Sequence, residues 1–306
     1  MFDIFVERFL QKKRTVPYPK ELPVLLPRFR GRPLIDARAC TGVDGSGCTA
    51  CAQACPVAAI SFEDGAPVLD TGICTFCGAC ARACALACRN TAHPQALFFT
   101  TDWRLASTSR EGLLVRPLVP EDLQSAKDMR AACSLSITDM GFAAPDTALP
   151  LEAMAPPPIT PYADCAPFKR SFRLRQVSAA GCGACEADLN VLGTVVFDLP
   201  RFGIDFVASP RHADALIITG PVPRNMREAL AHCDKATPRP RAVIALGACA
   251  ISGGLYRALP HSKTDQNNEG ANALLHVDLY VPGCPPHPYT NLDALLRFLG
   301  VAVPGE

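Results

Sequence analysis

Twelve of the sixteen cysteines in this chain stand in patterns that can do chemistry. The first run is Cys40, Cys48, Cys51 and Cys55, closed by Pro56, and the second is Cys74, Cys77, Cys80 and Cys84. The third set is dispersed: Cys182 and Cys185 in GCGACE, Cys249 in GACAISGG and Cys284 in VPGCPPHP. Thiols at this density close disulfides, bind zinc, or carry an iron–sulfur cluster. A disulfide framework requires an oxidising compartment, but the opening MFDIFVERFLQKKR has Asp3 and Glu7 inside its apolar stretch and no small-residue cleavage site. Paired C-x₂-C knuckles suit tetrahedral zinc. Eight thiolates in overlapping triplets exceed what two knuckles need, and a Cys-Pro ending has no zinc rationale. Iron–sulfur chemistry accounts for both features.

The second run has the spacing used by bacterial ferredoxins, and the first differs from it only in its opening interval. Three closely spaced thiolates turn around one face of a cube while intervening backbone N–H groups point at sulfur, and Gly78 and Ala79 let the chain pass close. In ferredoxins the fourth cysteine ligates the other cluster. The resemblance therefore implies Cys40, Cys48, Cys51 and Cys84 for one [4Fe–4S] cluster, and Cys55, Cys74, Cys77 and Cys80 for another. Two departures stand out. The opening spacer TGVDGSG is long, which leaves the cluster at Cys40 the less secure, and Cys84 is followed by Ala85, with Cys88 nearby as an alternative ligand.

The dispersed cysteines each follow a predicted strand, and in a parallel sheet such strand ends share one edge, where ligands collect. A third four-iron cluster needs four thiolates, and Gly181, Gly183, Gly247 and Gly283 would permit close backbone approach. A helix opening near Glu186 would aim its positive end at an anionic cluster. The competing reading is a pair of buried structural cysteines plus chance. Cys233 reads as a small core residue, Cys133 and Cys165 as linker positions, His287 as a surface group or a donor to sulfur, and Arg224 as an exposed arginine or one facing a quinone or an interface.

The elements that must position these residues divide the chain of 306 residues into four stretches. Residues 1–35 form an amphipathic helix, with Phe2, Phe5, Phe9 and Leu10 opposite Asp3, Glu7 and Lys12, followed by a proline-rich extended arm. The helix is expected to dock on its own domain or a neighbour; a membrane-surface anchor is the alternative. Residues 36–117 hold the two runs, each followed by a short apolar strand (VAAISF, ALFFT), which suggests a duplicated α+β domain. Residues 118–167 are an Ala- and Pro-rich linker in which only EDLQSAKDMRAAC has helical character, and a flexible segment that can wrap over the surface is expected there. Residues 168–306 alternate strands (RLRQVSAA, GIDFVA, ADALIITG, RAVIALG, DLYVPG) with helices, the pattern of a flavodoxin-like parallel α/β sheet.

Composition excludes several functions. Thirty Lys and Arg balance twenty-nine Asp and Glu, giving a net charge of +1 and no basic field for nucleic acid. No apolar stretch reaches the roughly 20 residues of a membrane span. No dinucleotide or triphosphate loop is present, and the loops that would hold a flavin carry cysteines.

GIDFVASPRHADALIITGPV, RAVIALGACAISGGLY and DLYVPGCPPHP resemble the cluster-bearing small subunit shared by complex I and the [NiFe] hydrogenases. The portion from MFDIFVERFL through RGRPLIDARAC to GICTFCGAC resembles the two-cluster ferredoxin subunit of formate hydrogenlyase and of complex I. The chain thus looks like a fusion of the two. Its C-x₂-C-Glu at Cys182, Cys185 and Glu186 is similar to the membrane-bound, energy-converting group 4 hydrogenases, whereas the complex I counterpart carries adjacent cysteines. The resemblance implies a non-catalytic electron-transfer subunit with three [4Fe–4S] clusters. Its partners would be a hydrogenase-like large subunit and membrane subunits, placing it on the cytoplasmic face of the membrane, and its electron donor would be a formate dehydrogenase or a soluble ferredoxin. Glu186 would match an acidic residue near the large-subunit interface with a proton-transfer role; locally it reads as a carboxylate favoured by the helix dipole. The alternatives are a nickel-free, complex I-like quinone oxidoreductase and a stand-alone low-potential carrier.

Overall fold

The computed structural model describes residues 2–26, 28–40, 47–88, 95–118, 156–162, 171–257 and 268–301. Most of the expected linker, including the EDLQSAKDMRAAC helix, Cys133 and Cys165, lies outside the described residues.

Five strands build the C-terminal sheet: β6 (Phe172–Ser178), β7 (Ile204–Phe206), β8 (Ala215–Thr219), β9 (Ala242–Leu246) and β10 (Leu279–Val281). All neighbours are parallel, in the order β10-β9-β8-β6-β7. Chain order along the sheet is thus second, first, third, fourth, fifth, the flavodoxin-like arrangement whose switch point falls between β6 and β8. β8 and β9 read ALIIT and AVIAL and are buried at every position, as expected of central strands covered on both faces. The helices introduced between and after them are Ala184–Leu192, Arg224–Ala236, Ala248–Ser252 and Pro288–Phe298.

The N-terminal half supplies a helix Phe2–Gln11 (α1), β1 (Pro33–Ile35), a short helix Ala50–Gln53 (α2), β2 (Ile60–Glu63), β3 (Ala66–Asp70), a helix Ala79–Cys88 (α3), β4 (Leu97–Phe99) and β5 (Leu114–Val115). The later helices are accordingly α4 to α7. β1 pairs antiparallel with β4, and β2, β3 and β5 form a three-stranded antiparallel sheet. The strands after each cysteine run fall where the apolar stretches place them.

The two halves share a seam. Trp103 and Tyr18, from the N-terminal half, are buried in the same apolar cluster as Leu174, Ile217, Ile244 and Leu295 of the sheet domain. Backbone bonds join Ser107 and Tyr280 in both directions, at 3.0 and 2.9 Å. Arg257 Nη2 donates to the Val57 carbonyl at 2.7 Å, and Ser252 Oγ donates to the Gly72 carbonyl at 3.0 Å. The described piece of the linker is also packed: Arg297 Nη2 donates to the Pro157 carbonyl, and Tyr162 stacks on Phe298 with 5.3 Å between centroids.

The proline-rich arm adopts no regular structure, yet it is firmly seated. Val16 N–H donates to the Val196 carbonyl at 2.8 Å, and Val16, Leu22, Leu25 and Phe29 pack on the sheet-domain core. The Tyr18 hydroxyl donates to Asp293 Oδ1 at 2.7 Å, deep in the seam. By contrast, α1 lies on nothing described in this chain. Phe9 is 83 % exposed and Ile4, Phe5 and Leu10 are exposed with it, so docking on its own domain is not what the structure shows.

Asp293 is fully buried, with Tyr18 on one oxygen and Arg297 Nη1 at 3.5 Å from the other. Burial pushes its carboxyl up to about 6, against the opposing pull of Arg297 and the Tyr18 hydrogen bond. The folded form therefore binds this proton more readily than the unfolded chain, whose value is 3.8, and stability attributable to Asp293 declines as pH rises from about 4 through about 6. Denaturant unfolding followed across that window is expected to lose part of its pH slope in Asp293→Asn. Tyr18→Phe leaves the buried carboxylate oxygen without its donor, a loss of about 1–3 kcal/mol. It is expected to lower the thermal midpoint and to speed tryptic cleavage at exposed Lys20 in the arm.

Candidate metal centres

Each candidate cysteine hangs on a short element with close backbone anchoring. Cys40 ends the turn after β1, its N–H donating to the Asp36 carbonyl at 3.0 Å. Cys48 precedes α2, Cys51 lies within it and Cys55 follows it. Cys74 and Cys77 sit in the loop after β3, and Cys80, Cys84 and Cys88 on α3.

Folding sorts these thiols across the two runs. Cys40, Cys48, Cys51, Cys84 and Cys88 line one cavity, closed by apolar Ile35, Ala39, Pro67, Ala96 and Leu97. Burial pushes the Cys51 thiol up to about 11, with Cys84, Cys40 and Cys48 as its thiol neighbours. Burial and then Cys84 push Cys88, one helical turn further along α3, up to about 11 as well. The other gathering is Cys55, Cys74, Cys77 and Cys80. Burial raises the Cys74 thiol far above its ordinary range, and its thiol neighbours are Cys80, Cys55 and Cys77. Cys80 is pushed up to about 12 by burial and then by Cys55, with Cys77 and Cys51 adding to it, so the two gatherings adjoin. The fourth member of each run has thus crossed to the other gathering.

The third gathering forms at the C-terminal edge of the parallel sheet. Cys182 follows β6 and is exposed, Cys185 lies in the first turn of α4, Cys249 in α6 and Cys284 just after β10. Burial raises the Cys185 thiol strongly, and Cys249, Glu186, Cys284 and Cys182 add to it in that order. Burial also pushes Cys249 up to about 11, next to Cys284 and Cys182, partly offset by a hydrogen bond from the Leu255 N–H.

The donor sets suit iron–sulfur cubes on several counts. All fourteen described cysteines are free thiols. Backbone N–H groups of Ala59 and Phe76 donate to the sulfurs of Cys55 and Cys74, both at 3.2 Å. At Gly247, whose φ is +87°, a Cβ would stand 2.6 Å from Cys185 Sγ, so the absence of a side chain keeps the third cradle open. Gly183, at φ +86°, has nothing within 4 Å of such a carbon.

The other singled-out residues have defined places. Glu186 Oε1 accepts from Ser178 Oγ at 2.7 Å and Thr219 Oγ1 at 2.6 Å, which tie the start of α4 to the ends of β6 and β8. Burial acts to raise its carboxyl, but those hydroxyls and its own N–H outweigh it and hold Glu186 below the usual carboxylate range. The partners on the two strands were not foreseen, because they are near only once β6 and β8 pair. His287 Nδ1 accepts from the Tyr289 N–H at 3.2 Å, so it caps α7, and burial lowers its basicity. Arg224 is exposed at the start of α5, and Cys233 packs against the second apolar cluster of the sheet domain. Sequence reasoning also passed over Gly254, where a Cβ would stand 2.9 Å from Cys249 Sγ; the Gly-Gly doublet after Cys249 was its signal.

Residues 182–298 match the family described as NADH ubiquinone oxidoreductase, 20 Kd subunit. Formate hydrogenlyase subunit 7 of Escherichia coli is 38 % identical over 134 residues, 44 % of this chain and 51 % of that protein. A probable membrane-bound hydrogenase subunit of Pyrococcus furiosus is 36 % identical over 135 residues, 44 % of this chain and 78 % of that protein. An NADH-quinone oxidoreductase subunit of Desulfovibrio desulfuricans is 38 % identical over 117 residues, 38 % of this chain and 61 % of that protein. The chain spans about half the length of the Escherichia coli relative, and the family match begins at Cys182, after the arm and both cysteine runs. Through its parallel-sheet domain, with Cys182, Cys185, Cys249 and Cys284 gathered at one edge, the chain belongs to the NADH ubiquinone oxidoreductase 20 Kd subunit family.

Proposed function

We propose that this chain is a redox subunit holding three [4Fe–4S] clusters and serving a membrane-associated hydrogenase or formate hydrogenlyase-like complex of group 4. The observation that carries the reading is the gathering of thirteen thiols, five in one set and four in each of two others, from segments far apart in sequence. On this reading Cys40, Cys48, Cys51 and Cys84 hold one cluster; Cys55, Cys74, Cys77 and Cys80 a second; and Cys182, Cys185, Cys249 and Cys284 a third. Such clusters supply one-electron transfer. The protein's own contribution is to exclude water, to donate N–H groups to sulfur and to fix the sets relative to one another through the seam. Cys84 is taken as the fourth ligand because it occupies the ferredoxin position, with Cys88 in the same cavity as the alternative.

The boundaries 1–35, 36–117, 118–167 and 168–306 are retained as the proposed organisation, with residues 36–117 as a fused two-cluster ferredoxin. Exposed Cys182 faces the proposed large-subunit partner, and Glu186, ionised and held by two hydroxyls, is placed to relay protons there. No described helix is long and apolar enough to cross a membrane. The uncovered apolar side of α1 is proposed to dock on a neighbouring subunit, which would hold the chain to the cytoplasmic face of the membrane. A formate dehydrogenase or a soluble ferredoxin is the proposed donor. The likeness to the NADH-quinone oxidoreductase relative favours a second reading, a nickel-free, quinone-reducing complex.

Metal analysis of the tagged chain, isolated anaerobically with its companions, decides among these. About twelve irons per chain, as three cubes require, with nickel alongside, are expected for the hydrogenase reading. Iron without nickel favours the nickel-free relative or a lone carrier, and zinc in place of iron overturns the proposal. Single Cys→Ser changes at Cys51, Cys74 and Cys249 are each expected to remove about four irons. Gly247→Ala, which drives a methyl against Cys185, is expected to lose the irons of the third set. Gly183→Ala meets no neighbour and is expected to keep them, at a backbone cost of about 1 kcal/mol.

A further inference from the structure

Cys77 of the second gathering and Cys284 of the third both line one cleft of about 300 Å³. The proline-rich arm crosses this cleft and contributes Arg28, Phe29 and Arg30 to its lining. Arg30 Nη1 donates to the Cys77 carbonyl at 2.7 Å, and Gly78 leaves it room, since a Cβ there would stand 3.2 Å from the same nitrogen. The Phe29 ring meets His287 edge-on at 5.3 Å, and His287 stacks on Tyr289 and caps α7, three residues after Cys284. Just beyond, the Gly31 and Arg32 N–H groups donate to the Thr100 and Asp102 carbonyls at 2.7 and 2.8 Å, which fixes the arm in place. A second guanidinium, Arg82 Nη1, reaches the Cys77 carbonyl at 3.3 Å, but from an exposed side chain.

We infer that Arg30 is a positioning residue that sets the reduction potential of the cluster proposed at Cys55, Cys74, Cys77 and Cys80. The inference rests on the cluster assignment proposed above. Its physical basis is Coulombic. Reducing a cluster adds negative charge, and a cation fixed nearby in a half-buried site, where water screens it less, favours the reduced state and raises the potential. Arg82 carries the same charge to the same carbonyl, but its exposure leaves it more strongly screened.

The test is an electron paramagnetic resonance redox titration of the full chain with its companions, in Arg30→Gln, Arg30→Lys and Arg82→Gln. The relevant signal is identified as the one that Cys77→Ser alters and Cys249→Ser does not. Arg30→Gln is expected to move that midpoint to lower potential and leave the other two in place, with Arg30→Lys close to wild type and Arg82→Gln shifted less than Arg30→Gln. An unchanged midpoint in Arg30→Gln, or equal lowering in the Gln and Lys variants, overturns the inference. Should Arg30→Gln lose the irons of its set, Arg30→Met, which also removes the charge, is read in its place: a lowered midpoint there with Arg30→Lys unchanged supports the role of charge, and an unchanged midpoint in both refutes it. Wild-type protein without iron refutes the parent assignment instead, so the two failures are distinguishable.

Discussion

Burial of thiols is the constraint on which the rest of the structure depends. Cys74, Cys80, Cys185 and Cys249 are placed where desolvation dominates, and each is pushed well above the ordinary thiol range. A thiol in such a place does not ionise on its own at neutral pH, and four of them together repel one another once charged. Neutral, such thiols pack as small apolar groups; ionised together, they would need a partner that brings positive charge to several sulfurs at once. Short helices and tight loops surround the sets, and backbone N–H groups reach the sulfurs of Cys55 and Cys74 in the second, an environment that suits such a partner on the proposed reading. Packing for its own sake would fill the same volume with leucine.

The seam has a comparable logic on a larger scale. On the proposed reading, electron transfer between centres depends steeply on separation, so two units joined only by a tether would exchange electrons intermittently. Here Trp103 and Tyr18 enter the core of the sheet domain, Ser107 pairs with Tyr280, and Arg257 and Ser252 reach back to Val57 and Gly72. Several of these contacts come from residues next to candidate ligands: Val57 follows Cys55 closely, Gly72 precedes Cys74, and Ser252 lies three residues after Cys249. The fold thereby couples the positions of the thiol sets directly, without routing that coupling through the long stretch between residues 118 and 156.

How much of this was legible in the sequence depended on the range of the interaction. The five strands of the sheet domain were readable because ALIIT and AVIAL are unbroken apolar runs between turn residues, and α5 and α7 because their patterns repeat at helical spacing. The three thiol sets were readable from spacing, together with the rule that strand ends in a parallel sheet share an edge. The seam was not. Its contacts join residues such as Tyr18 and Asp293, 275 positions apart, and no local pattern marks a tyrosine in a proline-rich arm as a core residue. The short helix α6 was read only as the loop after a strand, because five residues carry too little periodicity to show.

Glu186 shows how the long-range contacts change the meaning of a residue that the sequence did flag. Beside Cys185 at the start of α4, it invited either a proton-transfer role or a simple dipole interaction. Its oxygen also bridges hydroxyls from β6 and β8, the two strands that flank the switch point of the sheet. Those bonds tie the start of the helix that carries Cys185 to both strands. The same bonds keep the carboxylate ionised, so proton movement at this site has to work against them. The strength of those two bonds therefore limits any relay through Glu186, and the group's first effect is on where the neighbouring thiol stands.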